Sequence, residues 1–307
     1  MKYCFGVDVG GTTVKIGLFQ ADGVLVDKWE IKTRTENKGE AILPDIAEAI
    51  AEKCKKDGIA REDMEGIGIG IPAPVNEDGV VKNTANLGWG YKEVKRELEE
   101  LTGFKVEVGN DANMAALGEM WLGAGRGHKN LVMVTLGTGV GGGVIVGGRP
   151  LVGTNGAGGE IGHILANRQE TDKCGCGKKG CLEQYASATG IARLARIRLA
   201  KNNDMTLLRG QEITAKAVFD ALKEGDKVAE EIVEEFGAYL GYALAAVIDP
   251  SMFIIGGGVS KAGPIIIQYV KKYFLEKAFF ANEGTEFIIA VLGNDAGICG
   301  AAKLILG

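Results

Sequence analysis

The chain has 307 residues, enough for one large or two ordinary domains with real cores. It carries 35 Lys and Arg against 40 Asp and Glu, a formal charge of −5, and has no basic tract, which argues against a nucleic-acid-binding face. Its opening apolar run is short and interrupted by Asp8, and no stretch of about 18 apolar residues occurs, so no signal peptide, no membrane span and a cytoplasmic location are expected.

An apolar run from Tyr3 to Val9 enters Gly10-Gly11-Thr12-Thr13, and a second, from Val14 to Phe19, leaves it. This predicts two strands joined by a tight turn, with Lys15 just beyond it. Gly10 and Gly11 permit positive φ and a close ligand approach, and the two threonines add hydroxyl donors for phosphate oxygens. Asp8, just ahead of the turn, is placed to hold a divalent cation directly or through its waters. A third strand is expected over 24–32, a helix over 40–56, and a buried strand over 66–71 that ends in the rigid turn Pro72-Ala73-Pro74. Ligands bind beyond the carboxyl ends of such strands in open α/β sheets. A loop over 83–91 carries Asn86, and a helix follows over 92–102. A strand over 105–108 then runs into Asn110-Asp111 at the head of a helix over 112–122, where simple capping by Asn or Asp is a competing explanation.

The first turn recurs. Residues 131–146 read as strand, Leu136-Gly137-Thr138-Gly139-Val140-Gly141-Gly142-Gly143, strand. Val134 to Gly137 slides onto Val7 to Gly10, with Thr135 facing Asp8. A P-loop motif is absent, and the G-x-G-x-x-G at 137–142 is followed by a strand rather than the helix a dinucleotide site requires. Two phosphate-type hairpins, one in each half, suggest a duplicated α/β fold with a nucleotide gripped across a cleft. This resembles the actin-like ATPase and sugar kinase superfamily, with two ribonuclease H-like domains and mixed sheets.

A polar loop over 153–181 follows, then expected helices over 182–202, 213–224 and 226–247. The strand 252–255, the turn Gly256-Gly257-Gly258 and a helix over 264–277 form a strand–glycine–helix unit against which a flat ring such as adenosine can lie. A last strand over 287–292 and a last helix over 295–306 complete the chain, the helix folding back onto the first domain. The expected domains are 1–109 with 296–307, and 110–295. Of the six cysteines, Cys4, Cys54 and Cys299 are isolated and read as packing residues. His163, Cys174, Cys176 and Cys181 offer one imidazole and three thiolates, a structural zinc set with glycines interleaved so the backbone can wrap an ion; a redox pair is the rival. Such a clip would aim Glu160 and Glu183, which flank it, at the hydroxyls of a small polyol.

Read together, Asp8-x-Gly10-Gly11-Thr12, Asn110-Asp111-x-Asn113, Leu136-Gly137-Thr138-Gly139, Gly158-Gly159-Glu160-Ile161-Gly162-His163 and Cys174-Gly175-Cys176 through Cys181-Leu182-Glu183 resemble the ROK family of repressors and sugar kinases, in its bacterial glucokinase branch. The likeness covers essentially the whole chain. Because the chain starts on the phosphate hairpin, without an added helix-turn-helix, it resembles the kinases rather than the repressors. The resemblance implies transfer of phosphate from Mg-ATP to a hexose 6-hydroxyl, with Asp111 as general base. It implies sugar contacts at Asn86, Asn110, Glu160, His163 and Glu183. It implies nucleotide and magnesium contacts at Asp8, Gly10, Gly11, Thr12, Thr13, Lys15, Thr138, Gly139 and Gly256 to Gly258. A homodimer is expected. N-acetylmannosamine, N-acetylglucosamine, fructose and allose remain rival sugars, and a non-catalytic sugar-responsive regulator or an actin-like assembly protein are rivals of other classes. Ala73 stands where the family often has glycine.

Overall fold

The computed structural model describes residues 1–246 and 249–307. In chain order it runs β1 (Tyr3–Val9), β2 (Thr13–Gln20), β3 (Leu25–Lys32), the single distorted turn α1 (Glu36–Gly39), α2 (Ile42–Asp57), β4 (Met64–Ile71), the short pair β5 (Val80–Val81) and β6 (Lys92–Glu93), α3 (Val94–Thr102), β7 (Val106–Asn110) and α4 (Asp111–Leu122). It continues with β8 (Leu131–Leu136), β9 (Val140–Val146), β10 (Arg149–Pro150), α5 (Glu183–Ala186), α6 (Ala188–Lys201), α7 (Ala215–Lys223), α8 (Lys227–Ala245), β11 (Met252–Gly256), α9 (Ile265–Lys277), β12 (Glu286–Ile289) and α10 (Ala296–Leu306). The expected helix end at Val247 lies outside the described residues.

Two five-stranded sheets form, ordered β3-β2-β1-β4-β7 and β10-β9-β8-β11-β12. Each strand of one has its counterpart in the other, so the duplication suggested by the two glycine hairpins extends to the sheets that carry them. Both sheets are mixed. β1 pairs antiparallel with β2 and parallel with β4; β10 pairs antiparallel with β9, and β11 pairs parallel with β8 and β12.

The chain divides into two compact units. The first is Met1–Asn130, Gly143–Gly159 and Val291–Gly307; the second is Leu131–Gly142 and Glu160–Ala290. The expected cut at 109/110 is not where these units part. Helix α4 belongs with the first unit because it packs on α10 through glycine: a side chain on Gly118 would strike the Ala296 carbonyl, and one on Gly300 the Met114 carbonyl. Gly143 joins them because it rests on Ala112 and Ala116 of α4.

In the first unit the alternation of β1 sorts its residues. Phe5, Val7 and Val9 face a core completed by Ile42, Ile46 and Ile50 of α2, while Cys4 packs with Phe19, Ile298, Ala302 and Ile305 against α10. On that second face Gly6 and Gly68 have no room for a Cβ, which would meet the carbonyls of Ile298 and Ala301. The glycine-rich composition therefore serves packing of a helix on a sheet as well as turns. In the second unit Phe253, Phe274 and Phe287 bind β11, α9 and β12 together with ring centroids 5.0–5.6 Å apart. The expected helix over 182–202 is broken: Ser187 is extended, with φ −84° and ψ 172°, because its side chain caps α6. The last strand ends at Ile289, short of the expected Leu292. Among the described residues, no helix is long and apolar enough to cross a membrane.

Candidate functional site

The first unit holds the hairpin carrying Asp8. Gly10 N–H donates to the Thr13 carbonyl across the turn, and Thr33 at the end of β3 staples it twice: its N–H donates to the Thr12 carbonyl and its hydroxyl to the Gly10 carbonyl at 2.7 Å. Gly10 and Gly11 do not adopt positive φ, contrary to expectation. Gly10 is the crowded position, since a Cβ there would lie 2.9 Å from the Thr13 carbonyl oxygen, whereas a Cβ on Gly11 would make an ordinary 3.4 Å contact with the Cβ of Asn86. Asn86 is the exposed tip of a loop anchored by buried Thr84, Leu87 and Trp89, whose indole N–H donates to the Gly39 carbonyl. Thr12 is exposed at the tip of the hairpin. Lys15 pairs with Asp8 in register, but its Nζ donates to the Asn294 carbonyl at 3.3 Å. Burial pushes the Asp8 carboxyl above the ordinary carboxylate range, and Lys15 opposes that rise.

Asn110 does two jobs at the head of α4. Its Oδ1 accepts from the amides of Ala112 and Asn113, the capping role sequence reasoning held open, and its Nδ2 donates to the Ala73 carbonyl at 3.2 Å. Ala73 therefore sits in a fixed turn, and its φ is not positive, so the methyl group brings no backbone strain. Asp111 opens the helix, half-buried, with Oδ1 accepting from the Ala112 amide at 2.8 Å. Gly156, at φ +77°, lies over the Val75 backbone and seats the loop ahead of Glu160 on the same turn.

The second unit holds the sulfur set. One ligand atom from each of His163, Cys174, Cys176 and Cys181 lies within 4.8 Å of the others. The Cys176 and Cys181 sulfurs are 3.6 Å apart, and the Cys174 sulfur is 3.8 Å from His163 Nδ1. A tetrahedral zinc with bonds of about 2.3 Å to sulfur and about 2.0 Å to nitrogen sets ligand edges of roughly 3.5 to 3.8 Å, so the residues fit that ion. The loop is buttressed from outside by Gln184, whose Oε1 accepts from the amides of Gly180 and Cys181. His163 stands between the two acids. Its Nε2 is 3.9 Å from Glu160 Oε2, and its Nδ1 is 3.8 Å from Glu183 Oε1, the oxygen that also accepts from the Cys174 thiol at 2.7 Å.

The second glycine turn backs onto that acid. A Cβ on Gly139 would lie 2.5 Å from Glu183 Oε2. Thr138 and Gly139 share with Glu183, Cys174 and Thr189 the lining of a cavity of about 370 Å³. At the third turn Gly257, at φ +82°, lies against the Leu136 backbone. Gly258 and Val259 face Thr214 and Phe219 of the α7 region across a cavity of about 320 Å³.

The ROK family model matches residues 4–307. The chain belongs to the ROK family. Among ROK relatives, the glucokinase of Halalkalibacterium halodurans is 44% identical over 99% of this chain and 95% of that one. The glucokinase of Thermotoga maritima is 39% identical over 98% and 96%. A ROK family glucokinase from Streptomyces griseus, solved in complex with glucose and AMPPNP, is 34% identical, covers 98% of both chains and superposes with a TM-score of 0.75.

Within each unit of this ROK chain, residues far apart in sequence come together. Asp8, the first turn and Asn86 gather in one; Glu160, His163, Glu183, the cysteines and Gly139 gather in the other. Sequence reasoning missed Thr33, Thr214, Phe219, Ser187 and Thr189. Only Ser187 and Thr214 carried a local signal, as N-cap residue types ahead of apolar runs.

Proposed function

We propose that the chain transfers the γ-phosphoryl group of ATP to the 6-hydroxyl of glucose. The observation that carries this reading is the seating of Glu160 and Glu183 on either side of His163, itself a member of the sulfur set, with the Gly139 turn against Glu183. Full-length similarity to glucokinases supports the choice of glucose.

In this reading Asp111 accepts the hydroxyl proton as the sugar oxygen attacks phosphorus, since a primary alcohol is a poor nucleophile until its proton has an acceptor. Glu160, His163, Glu183 and Asn86 bind sugar hydroxyls; Asn110 keeps one amide hydrogen for the same purpose beyond the bond to Ala73. Thr12, Thr13, Thr138 and Gly139 offer amides and hydroxyls to phosphate oxygens, and the 320 Å³ cavity beside Gly258 takes the adenosine. Asp8 is the carboxylate for magnesium, which neutralises phosphate charge when bound. Zinc at His163, Cys174, Cys176 and Cys181 is structural in this account, since four protein ligands leave no position for a reacting water. With Cys174 held as a thiolate, Glu183 Oε1 gives up its thiol donor and turns to a sugar hydroxyl. A cytoplasmic location, where thiols stay reduced, and a homodimer, checked by sedimentation, belong to the same reading.

A coupled ADP-release assay across glucose, fructose, allose, N-acetylglucosamine and N-acetylmannosamine tests it. Glucose should give the highest kcat/KM. A preference for another sugar would reassign the substrate, and no turnover on any would favour a sugar-binding regulator.

A further inference from the structure

The break at Ser187 places two hydroxyls between the sulfur loop and the second glycine turn. Ser187 is fully buried, and its Oγ accepts from the Gly190 amide at 2.9 Å. Its own proton goes to the Glu183 carbonyl at 2.6 Å, and its oxygen lies 2.9 Å from Thr189 Oγ1, a hydroxyl pair in which either can donate. Thr189 in turn donates to the Thr138 carbonyl at 2.7 Å, and the Ala188 amide donates to the neighbouring Gly137 carbonyl at 2.8 Å. Two consecutive carbonyls of the turn are therefore drawn toward the head of α6.

A trans peptide holds its N–H antiparallel to its C=O. Pulling the Gly137 and Thr138 carbonyls to one side turns the amides of Thr138 and Gly139 to the other. Among the described residues neither amide donates to another group. These are the two amides that the proposed function offers to phosphate oxygens. Without the relay the Gly137 N–H still donates to the Gly139 carbonyl and the Ala188 amide still holds the Gly137 carbonyl, but the Thr138 carbonyl loses its partner, and the Gly139 amide on the same peptide would spend part of its time misdirected.

We propose that Ser187 and Thr189 are positioning residues for the phosphate donor. Through them the backbone of Glu183, two residues after Cys181, is tied to the turn that meets ATP, so the segment that reads the sugar also sets the nucleotide turn. This rests on the nucleotide reading of Thr138 and Gly139 above. Thr189 is exposed and its hydroxyl is not part of a core, so it can be altered without threatening the fold.

The test uses the full chain with Thr189→Val and Thr189→Ser. Loss of one hydrogen bond should raise the ATP KM and the AMPPNP dissociation constant, measured by calorimetry, by about three- to tenfold. The glucose KM and the melting temperature should stay at parental values, and Thr189→Ser should restore nucleotide affinity. Unchanged AMPPNP affinity in Thr189→Val, or failure of the serine to restore it, overturns the relay while leaving the sugar kinase reading intact. A parent chain that binds no AMPPNP overturns the nucleotide reading itself, and the relay with it.

Discussion

Asp8 stands two residues before the first glycine turn, with burial raising its carboxyl above the ordinary range and Lys15 opposing the rise. An acid whose folded value is raised holds its proton more tightly folded than unfolded. Its contribution to stability is therefore full at acid pH and is lost as pH rises through the folded value. Asp8→Asn should remove that dependence: thermal melts without nucleotide should flatten from acid to neutral pH, and at neutral pH the variant should melt no lower than the parent while its turnover with Mg-ATP falls. A variant that melts lower at neutral pH would show that the carboxylate stabilises the fold. Which side chains gather was partly legible in the sequence, because the acids around His163 and the cysteines come together as their type and spacing suggested. The residues that hold them were not. Thr33 staples the first turn from 20 residues beyond Thr13, and nothing in its own neighbourhood marks it. Cys4 and Cys299 read as packing residues and are buried, with burial pushing the Cys4 thiol up to about 12.

The elements that matter most are the sulfur loop and α6. The loop has almost no regular structure, and its shape comes from backbone contacts such as the Cys174 amide to the Lys178 carbonyl and the Leu182 amide to the Ile164 carbonyl. An ion bound by four side chains from one loop adds its binding energy directly to the order of that loop. Elemental analysis should return about one zinc per chain. Cys176→Ser should lose it and raise the glucose KM several-fold, whereas an unchanged KM would show that the metal and the sugar acids are uncoupled. The reading of 182–202 as one helix failed for a physical reason. Alanine, leucine and arginine there favour helix throughout, but Ser187 satisfies the amide of Gly190 only from an extended conformation, and capping a new helix outweighs continuing the old one. Likewise, a strand glycine such as Gly68 looks like a weakness until α10 is laid across it, a tertiary fact that local pattern does not contain.

At the scale of the molecule, one plan is used twice: a glycine-tipped hairpin feeding the centre of a five-stranded mixed sheet. That repeat was readable because both hairpins share spacing and residue type. The limits of the compact units were not, since α4 stays with the strands before it and is joined there by α10 from the far end of the chain. Of the two copies only the first has an acid, Asp8, ahead of the turn, where the second has Thr135, and in the first unit Asp111 heads α4. In the proposed mechanism the proton of the sugar alcohol goes to Asp111. The most direct measurement is steady-state turnover of Asp111→Ala with glucose and ATP, alongside glucose binding by calorimetry. Turnover should fall by about 10²-fold or more with binding still detectable; near-parental turnover would contradict the mechanism.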